Sequence, residues 1–256
     1  TDWSRVGPNV IHVAGGPEPH IIGMSGRVIG GHEVAPNSIP YMAAVRPDGT
    51  GFCGASLIHP EWGLTAAHCV DSASYTLLVL GAHRVLQNEA TQQVVPSRSI
   101  IIHPQYNSTT LQNDIALVHL QHPVTESNIV RPIPIAPTNS GSFAEVIGYL
   151  TGWGYTSDDN PTLAPTLQGV ELRIISTAEC RIYAGSWAYE DNVCTHGFNG
   201  EHNVGGCFGD SGSPLVAQGV QVGVVSFGSG QCASGSITSF ARVNSYANWI
   251  NQHINA

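Results

Sequence analysis

Short runs of apolar residues alternate with turn-forming glycine, proline, asparagine and aspartate along most of the chain. This pattern is typical of many short β-strands joined by tight turns. The segments predicted as strands are Tyr41–Arg46, Gly54–Ile58, Leu77–Leu80, Gln93–Ile102, Ala116–Leu120, Glu145–Gly148, Gln168–Ile174, Ser213–Ala217 and Val220–Phe227. Three prolines, at 132, 134 and 137, interrupt the pattern midway, so we predict two strand-rich halves.

The two ends of the chain follow other patterns. Between Ser245 and Ile254, large apolar side chains recur at helical spacing, which predicts an α-helix docked on the second half. Residues 1–27 contain Gly15-Gly16-Pro17 and no cysteine, which predicts an extended leader outside the packed core.

Composition narrows the classes of function. The 256 residues carry a net charge of −9 without any basic cluster, so we expect no nucleic-acid partner. No apolar run approaches the roughly 18 residues of a membrane span, so we expect no membrane insertion. Six cysteines without CxxC spacing favour disulfide bonds in an oxidising compartment over a zinc site, and their spacing leaves the pairing open. One N-glycosylation sequon, Asn107-Ser108-Thr109, agrees with secretion.

All nine basic residues are arginine, and lysine is absent. Drift in codon usage explains such a bias without any function. A physical explanation is that lysine loses its charge near a pKa of roughly 10.4, whereas arginine stays charged. A lysine-free surface therefore keeps its ion pairs in strongly alkaline fluid. Resistance to lysine-directed cleavage is a third explanation, so an alkaline site of action is a hypothesis.

Three short motifs contain candidate catalytic residues. Ser211 lies in GDSGSP, and a serine hydroxyl becomes a good nucleophile only beside a base that takes its proton. The candidate base is His68 in LTAAHC, although this histidine alone is interpreted more simply as a packed side chain. The candidate acid is Asp114 in NDIAL, where it enters an apolar strand and is costly to bury unless it is paired.

The motifs LTAAHC, NDIAL and GDSGSP, in this order, resemble those of the chymotrypsin-like (trypsin-family) serine endopeptidases. The resemblance covers residues 28–256 and includes VIGG at 28–31, TGWG at 151–154 and SFG at 226–228. It implies an all-β fold of two antiparallel six-stranded β-barrels with a C-terminal α-helix. Residues 28–135 would form the first barrel, and residues 136–256 would form the second barrel and the helix.

The same resemblance assigns roles within the site. His68 is the general base, Asp114 orients its ring, and Ser211 is the nucleophile. The backbone N–H groups of Gly209 and Ser211 form the oxyanion hole. No cofactor is expected. The implied disulfide pairs are Cys53–Cys69, Cys180–Cys194 and Cys207–Cys232.

Members of this family are activated by cleavage before a small apolar pair, here between Arg27 and Val28. The resemblance therefore implies a proenzyme with residues 1–27 as its activation propeptide, cut by a trypsin-like protease. The new ammonium of Val28 would pair with Asp210 and order the oxyanion loop. Several relatives hold this aspartate in the precursor through a histidine, but the corresponding residue here is Gly51.

Some relatives bind calcium in the loop after Leu80-Gly81. Here Ala82 and Gln92 replace two of the usual carboxylates and leave Glu89, so we expect no metal.

The expected specificity pocket has no charge. The residue six before the nucleophile is Gly205, where trypsin-like relatives have aspartate, so an arginine side chain would enter without a partner. The other expected pocket residues are Gly206, Ser226, Phe227, Gly228 and Thr238. Their sizes favour a large apolar or aromatic substrate side chain, whereas Thr238 shortens the pocket and leaves elastase-like or collagenolytic specificity as alternatives.

The expected partners are protein and peptide substrates, the activating protease and protein protease inhibitors. We expect a monomer that is secreted and acts in digestion, in an alkaline gut lumen. An alternative from another class is a protease homologue that only binds other proteins, which the intact His68, Asp114 and Ser211 disfavour.

Overall fold

The computed structural model describes residues 7–8, 29–155, 158, 162–228 and 231–255. The predicted cleavage site, Arg27–Val28, lies outside the described residues. Of the leader, only β1 (Gly7–Pro8) is described, and it pairs in parallel with Gly51 and Phe52.

The first half of the chain forms a closed antiparallel barrel of six strands, as predicted. Its strand order is β4-β3-β6-β7-β8-β5, and the β5–β4 pairing closes the cylinder. Its strands are β3 (Met42–Pro47), β4 (Gly51–His59), β5 (Trp62–Thr65), β6 (Thr76–Leu80), β7 (Gln93–Ile102) and β8 (Ala116–Leu120).

The second half repeats this architecture. Its strand order is β11-β14-β13-β12-β9-β10, and β10 pairs with β11 to close the barrel. Its strands are β9 (Ile147–Gly152), β10 (Gln168–Ile175), β11 (Asn192–Thr195), β12 (Pro214–Ala217), β13 (Val220–Gly228) and β14 (Thr238–Arg242).

The N-terminal segment crosses between the halves. The short strand β2 (His32–Glu33) pairs antiparallel with Gln168 and Gly169 of β10, which belongs to the second barrel. The segment around β2 therefore pairs with the barrel that follows it in sequence, although the predicted division at residue 135 assigns it to the first barrel.

The C-terminal helix, α2 (Val243–Ile254), contacts β13 of the second half, where it was predicted to dock, and it also packs on the first barrel. Its buried face, with Tyr246 and Ile250, belongs to the same apolar cluster as the interior of the first barrel. The rings of Tyr246 and Trp249 meet His103 edge-on, with centroids 5.2 and 5.0 Å away. The helix therefore joins both halves, because it follows β14 of the second barrel and packs on the first.

Further contacts tie the barrels together. Ser56 on β4 donates a buried hydrogen bond of 2.6 Å to the side-chain oxygen of Gln221 on β13. Elsewhere at the interface, Phe52 meets Trp153 edge-on within a shared apolar cluster. Such buried contacts fix the relative position of the two barrels, which matters because the candidate site lies between them.

The structure joins Cys53 to Cys69, Cys180 to Cys194, and Cys207 to Cys232, as the resemblance implies. Among the described residues, no helix is long and apolar enough to cross a membrane.

Candidate active site

Asp114 and His68 form the buried centre of the candidate site. His68 lies in a short 3-10 turn (Ala67–Cys69) directly after β5, and Asp114 lies just before β8, the strand paired with β5. The Nδ1 atom of His68 is 2.7 Å from Asp114 Oδ2, and the His68 backbone N–H donates to Asp114 Oδ1 at 2.9 Å. Asp114 is 1% exposed and His68 6%. Two bonds to one carboxylate fix both the position and the orientation of the imidazole.

The two groups shift each other's pKa in opposite directions. Burial alone lowers the pKa of His68, but the charge and hydrogen bond of Asp114 outweigh burial and raise it above its ordinary value. Burial alone raises the pKa of Asp114, whereas His68 and the hydrogen bonds from the His68 ring, Ser226 and the His68 backbone lower it. Asp114 is therefore ionised whenever His68 gains a proton, which is the condition for a stabilised imidazolium.

Ser226 has a contact that the sequence analysis missed. It was predicted only as a pocket wall, but its hydroxyl also donates to Asp114 Oδ2 over 2.5 Å. This bond connects β13 of the second barrel to the carboxylate of the first. No local pattern in the sequence signals it, because the two residues are far apart in the chain.

The loop that carries Ser211 passes close to the segment that carries His68. The carbonyl of Ser211 accepts a hydrogen bond of 2.7 Å from the N–H of Gly54. Gly212 has a φ of +80°, and a Cβ there would collide with the Gly54 carbonyl and lie 3.3 Å from the Ala66 nitrogen. A larger residue at 212 would therefore push Ser211 away from His68.

The Ser211 hydroxyl lines the pocket at 3% exposure. Among the described residues, it makes no hydrogen bond to His68 Nε2. Catalytic hydrogen bonds are often long or poorly aligned without a substrate and tighten when one binds.

Two backbone N–H groups near the Ser211 hydroxyl make no hydrogen bond to any described residue. The N–H groups of Asp210, Gly212 and Ser213 each donate to a backbone carbonyl. Those of Gly209 and Ser211 have no acceptor within the part of the chain that the structure describes. Gly209 has a φ of +90°, which turns the loop in a way that L side chains rarely adopt. These two N–H groups are the ones that the resemblance assigns to the oxyanion hole.

The cavity next to Ser211 is lined by uncharged groups throughout its described part. The lining residues are Gly206, Cys207, Phe208, Ser211, Val225, Ser226, Phe227, Gly228, Gln231, Cys232, Ser236, Ile237 and Thr238. Five of the six predicted pocket residues are among them. The sixth, Gly205, lies behind the floor, where a Cβ would be 3.0 Å from Thr238 Oγ1.

The Thr238 side chain closes the floor of this cavity. Its Oγ1 accepts a hydrogen bond of 3.1 Å from the N–H of Gly206, and its Cγ2 would be 3.3 Å from a Cβ at Gly206. At the rim, Phe227 packs edge-on against Trp187, with ring centroids 6.1 Å apart. Trp187 was missed because it lies in a short 3-10 helix, Gly185–Trp187, that carries no motif.

Asp210 points away from the cavity into the protein. It is fully buried, and its two oxygens accept from the N–H groups of Gly154 at 2.8 Å and Cys207 at 2.9 Å. Burial outweighs these bonds and raises its pKa to about 7. No basic side chain pairs with it among the described residues. Nearby, the carbonyl of Ile29 accepts from Gly205 at 3.1 Å, so the chain just after Val28 docks on the segment framing the cavity.

The loop after β6 is held by a carboxylate. Glu89 Oε2 accepts from the backbone N–H groups of His83 at 2.7 Å and Arg84 at 2.8 Å. The carboxylate therefore faces the protein's own N–H donors. Two other groups of described side chains lie close enough together to bind one metal ion: His68 with Cys53 and Cys69, and Asp158 with Cys207 and Cys232. In both groups the two cysteines form a disulfide, which has no thiolate to bind a metal.

Comparisons with known proteins agree on one family. A family model described as Trypsin matches residues 28–250, so the match begins directly after Arg27. Brachyurin from Leptuca pugilator is 39% identical over 224 residues, which cover 87% of this chain and 96% of brachyurin. Granzyme B from Rattus norvegicus is 35% identical over 233 residues, covering 88% of this chain and 90% of the granzyme. Trypsin from Sus scrofa is 32% identical over 230 residues, which cover 90% of this chain and 96% of that trypsin.

Proposed function

The chain belongs to the trypsin family of serine endopeptidases, and from this premise we propose that it is the precursor of a secreted enzyme that cleaves after large apolar side chains. The observation that carries the proposal is the buried Asp114–His68 pair beside Ser211 and an uncharged cavity. A serine, an imidazole and a carboxylate in this arrangement suit acyl transfer.

In the proposed mechanism, Ser211 Oγ attacks the carbonyl carbon of the scissile bond. His68 Nε2 takes the hydroxyl proton and then gives it to the leaving amine, while Asp114 stays ionised and holds the Nδ1–H. The N–H groups of Gly209 and Ser211 receive the oxyanion, and each such donor contributes on the order of 10²- to 10³-fold in rate. A water molecule repeats the sequence to release the acyl group.

Ser226→Ala tests the contact that supports the acid. Because this variant removes a hydrogen-bond donor from a buried carboxylate, we expect kcat of the activated enzyme to fall on the order of tenfold. The matched control is Ser213→Ala, since the Ser213 hydroxyl is also buried but has no partner among the described residues. Equal losses in the two variants would contradict a role for Ser226.

Activation is proposed to follow cleavage between Arg27 and Val28. The new α-ammonium of Val28 would enter the protein and pair with Asp210. Three observations support this step: Asp210 is buried without a described basic partner, its pKa is raised, and the carbonyl of Ile29 binds the N–H of Gly205, in the segment that leads to Asp210. The pairing would supply the charge that burial of this carboxylate otherwise lacks.

The proposed substrates carry a large apolar or aromatic side chain before the scissile bond. An uncharged lining and two glycines at 205 and 206 support this specificity. The position of Thr238 across the floor favours a second candidate, an elastase-like preference for leucine, methionine or alanine.

Thr238→Gly distinguishes the two specificities. Removing this side chain deepens the cavity, so we expect kcat/KM for a phenylalanine substrate to rise on the order of tenfold relative to that for an alanine substrate. Thr238→Ser is the matched control, because it keeps the oxygen that binds the Gly206 N–H. The measurement uses peptide reporters that differ only in having phenylalanine or alanine before the scissile bond, and it gives the Phe/Ala ratio of kcat/KM for each variant. An unchanged ratio in Thr238→Gly would mean that Thr238 does not limit the depth of the cavity.

A digestive role in alkaline fluid is also proposed. Apart from the His83–Glu33 and His68–Asp114 pairs, the ion pairs of the described chain use arginine: Arg173 with Glu145 and Glu179, and Arg181 with Glu190. Burial also raises the pKa of several tyrosines, among them Tyr41, whose pKa rises to about 12. Between pH 8 and about 10, few side chains of the fold change their charge.

The expected result is an unfolding free energy that stays constant from pH 8 to about 10 and then falls. Above about pH 10 the unfolded chain loses phenolic protons that the buried tyrosines keep, so the folded state binds more protons and loses stability as pH rises. Urea unfolding of the precursor at several pH values measures this dependence. A steep loss between pH 8 and 10 would contradict the proposal.

A peptide panel tests the proposed function as a whole. The chain is cut with trypsin, the trypsin is removed, and reporters ending in Phe, Leu, Ala or Arg are assayed at pH 8 and pH 10.5. We expect activity only after the cut, highest on Phe or Leu and retained at pH 10.5. Highest activity on the Arg reporter would contradict the specificity proposed from the uncharged cavity. No activity on any reporter would contradict the enzyme assignment and favour a protein that only binds other proteins.

A further inference from the structure

Asn107 and the two residues after it form an exposed turn shortly before Asp114 in the chain. The side-chain oxygen of Asn107 accepts hydrogen bonds from the backbone N–H groups of Thr109 at 2.9 Å and Thr110 at 3.1 Å. Asn107, Ser108 and Thr109 are all exposed. Because the oxygen is held by the turn, the amide nitrogen Nδ2 points out of it, and no described residue accepts a hydrogen bond from Nδ2.

The turn lies next to the catalytic residues. The Leu111 N–H donates to the Asn107 carbonyl at 2.8 Å, and Asn107 N–H donates to Gln112 at 3.1 Å, which closes a tight loop two residues before Asp114. At the base of this loop, Tyr106 is close enough to Asp114 and Asp71 that their charges add to burial in raising its pKa. A short stretch of chain therefore joins the exposed Asn107 turn to the buried Asp114–His68 pair, with the buried side chain of Leu111 between them in sequence.

We propose that Asn107 carries an N-linked glycan in the secreted protein, and that this glycan restricts the upstream side of the cleft. The inference rests on the secretion proposed above. Nδ2 forms a bond to the anomeric carbon of a lipid-linked oligosaccharide, the bond from that carbon to the lipid pyrophosphate breaks, and one Nδ2 proton leaves. The amide keeps its oxygen, so the hydrogen bonds to Thr109 and Thr110 remain and the turn tolerates the modification.

The glycan is expected to discriminate between substrates by size. A short peptide reaches Ser211 without touching the rim, whereas a folded protein brings bulk against the loop that holds Asn107. Removal of the glycan should therefore leave kcat/KM for short peptides unchanged and raise it severalfold for a folded protein.

The test uses the full chain secreted from eukaryotic cells, with Thr109→Ala and Thr109→Ser as a matched pair. Thr109 takes part in the turn only through its backbone N–H, so both variants keep that contact. The first variant removes the sequon hydroxyl, and the second keeps a hydroxyl. Intact mass and peptide mapping, before and after peptide N-glycosidase, should show a glycan at Asn107 in the wild type and in Thr109→Ser only.

An unmodified Asn107 in the wild type would overturn the proposal. A glycan at Asn107 with the same protein-to-peptide ratio of kcat/KM in Thr109→Ala and wild type would overturn its role at the cleft. Mapping needs no enzymatic activity. A secreted, glycosylated chain that stays inactive after trypsin cleavage would therefore refute the proposed function and leave the modification standing.

Discussion

Ser211→Ala is expected to lower kcat of the cleaved chain on the order of 10⁶-fold. The hydroxyl is the atom that forms the acyl-enzyme, and alanine has nothing to replace it. Stability should change little, because Ser211 Oγ makes no hydrogen bond among the described residues. The residual rate comes from substrate binding and from the N–H groups of Gly209 and Ser211, which the substitution leaves in place.

The measurement is kcat on a phenylalanine peptide after trypsin cleavage, with Ser213→Ala as the control from the same motif. His68→Ala and the double variant are measured in parallel. Because both residues serve the same proton transfer, the double variant should be about as slow as either single variant. If Ser211→Ala kept more than a hundredth of the wild-type rate, the nucleophile would lie elsewhere.

Asp210→Asn is expected to lower kcat/KM of the cleaved chain on the order of 10²- to 10³-fold, although trypsin still cuts after Arg27. The reason is the loss of the proposed buried pair with the Val28 ammonium, which would leave that ammonium without a counter-charge. Arg27→Gln is the companion variant, since it keeps Asp210 but prevents the cut. Both variants should have strongly reduced activity, Asp210→Asn because the buried pair is lost and Arg27→Gln because the chain is not cut. The size of the chain after trypsin treatment distinguishes the two cases.

Asp210→Asn is also expected to change how the stability of the precursor depends on pH. The pKa of Asp210 in the folded chain, about 7, lies above the ordinary value of 3.8. Between these values the folded state binds more protons than the unfolded state, so stability falls as pH rises from about 4 to 7. This decline is ~4 kcal/mol at most, at 1.36 kcal/mol per pKa unit. Asp210→Asn should remove this part of the decline, and an identical decline in both proteins would show that Asp210 is not buried and unpaired in the precursor.

Hydrophobic patterning predicted the long strands accurately. The bounds of β7 and β8 match the prediction at both ends, and the other predicted strands differ by a few residues. These strands are five or more residues long or end at clear turn residues, so the pattern is visible locally. The barrel closure was predicted only through the resemblance, because strand order depends on pairings between distant segments.

Three barrel strands and the first helix were missed, for opposite physical reasons. The strands β5, β11 and β14 are four or five residues long and buried throughout, so none of them alternates between apolar and polar positions. A short continuous apolar run does not distinguish a strand from other buried chain. The helix α1 (Thr177–Ala184) was missed because it has one buried residue, Cys180, and hence no apolar stripe.

The packing of α2 also depends on contacts that a local sequence pattern does not reveal. The spacing of Tyr246 and Ile250 predicted a helix with one apolar face, but it carries no information about which barrel covers that face. The Ser226–Asp114 bond likewise depends on the two barrels meeting, as does the approach of Ser211 to Gly54. The motifs therefore indicate which residues are candidates for catalysis, and the fold supplies the contacts of these residues.

The central claim is that Ser211 becomes a reactive nucleophile when the chain is cut after Arg27. Its most direct test is labelling with diisopropyl fluorophosphate before and after trypsin treatment, followed by peptide mapping of the labelled chain. We expect one label, on Ser211, only in the cut protein, and none in cut Asp210→Asn over the same time. Equal labelling of Ser211 before and after the cut would contradict the activation step, and an unlabelled Ser211 in the cut wild type would contradict the catalytic assignment itself.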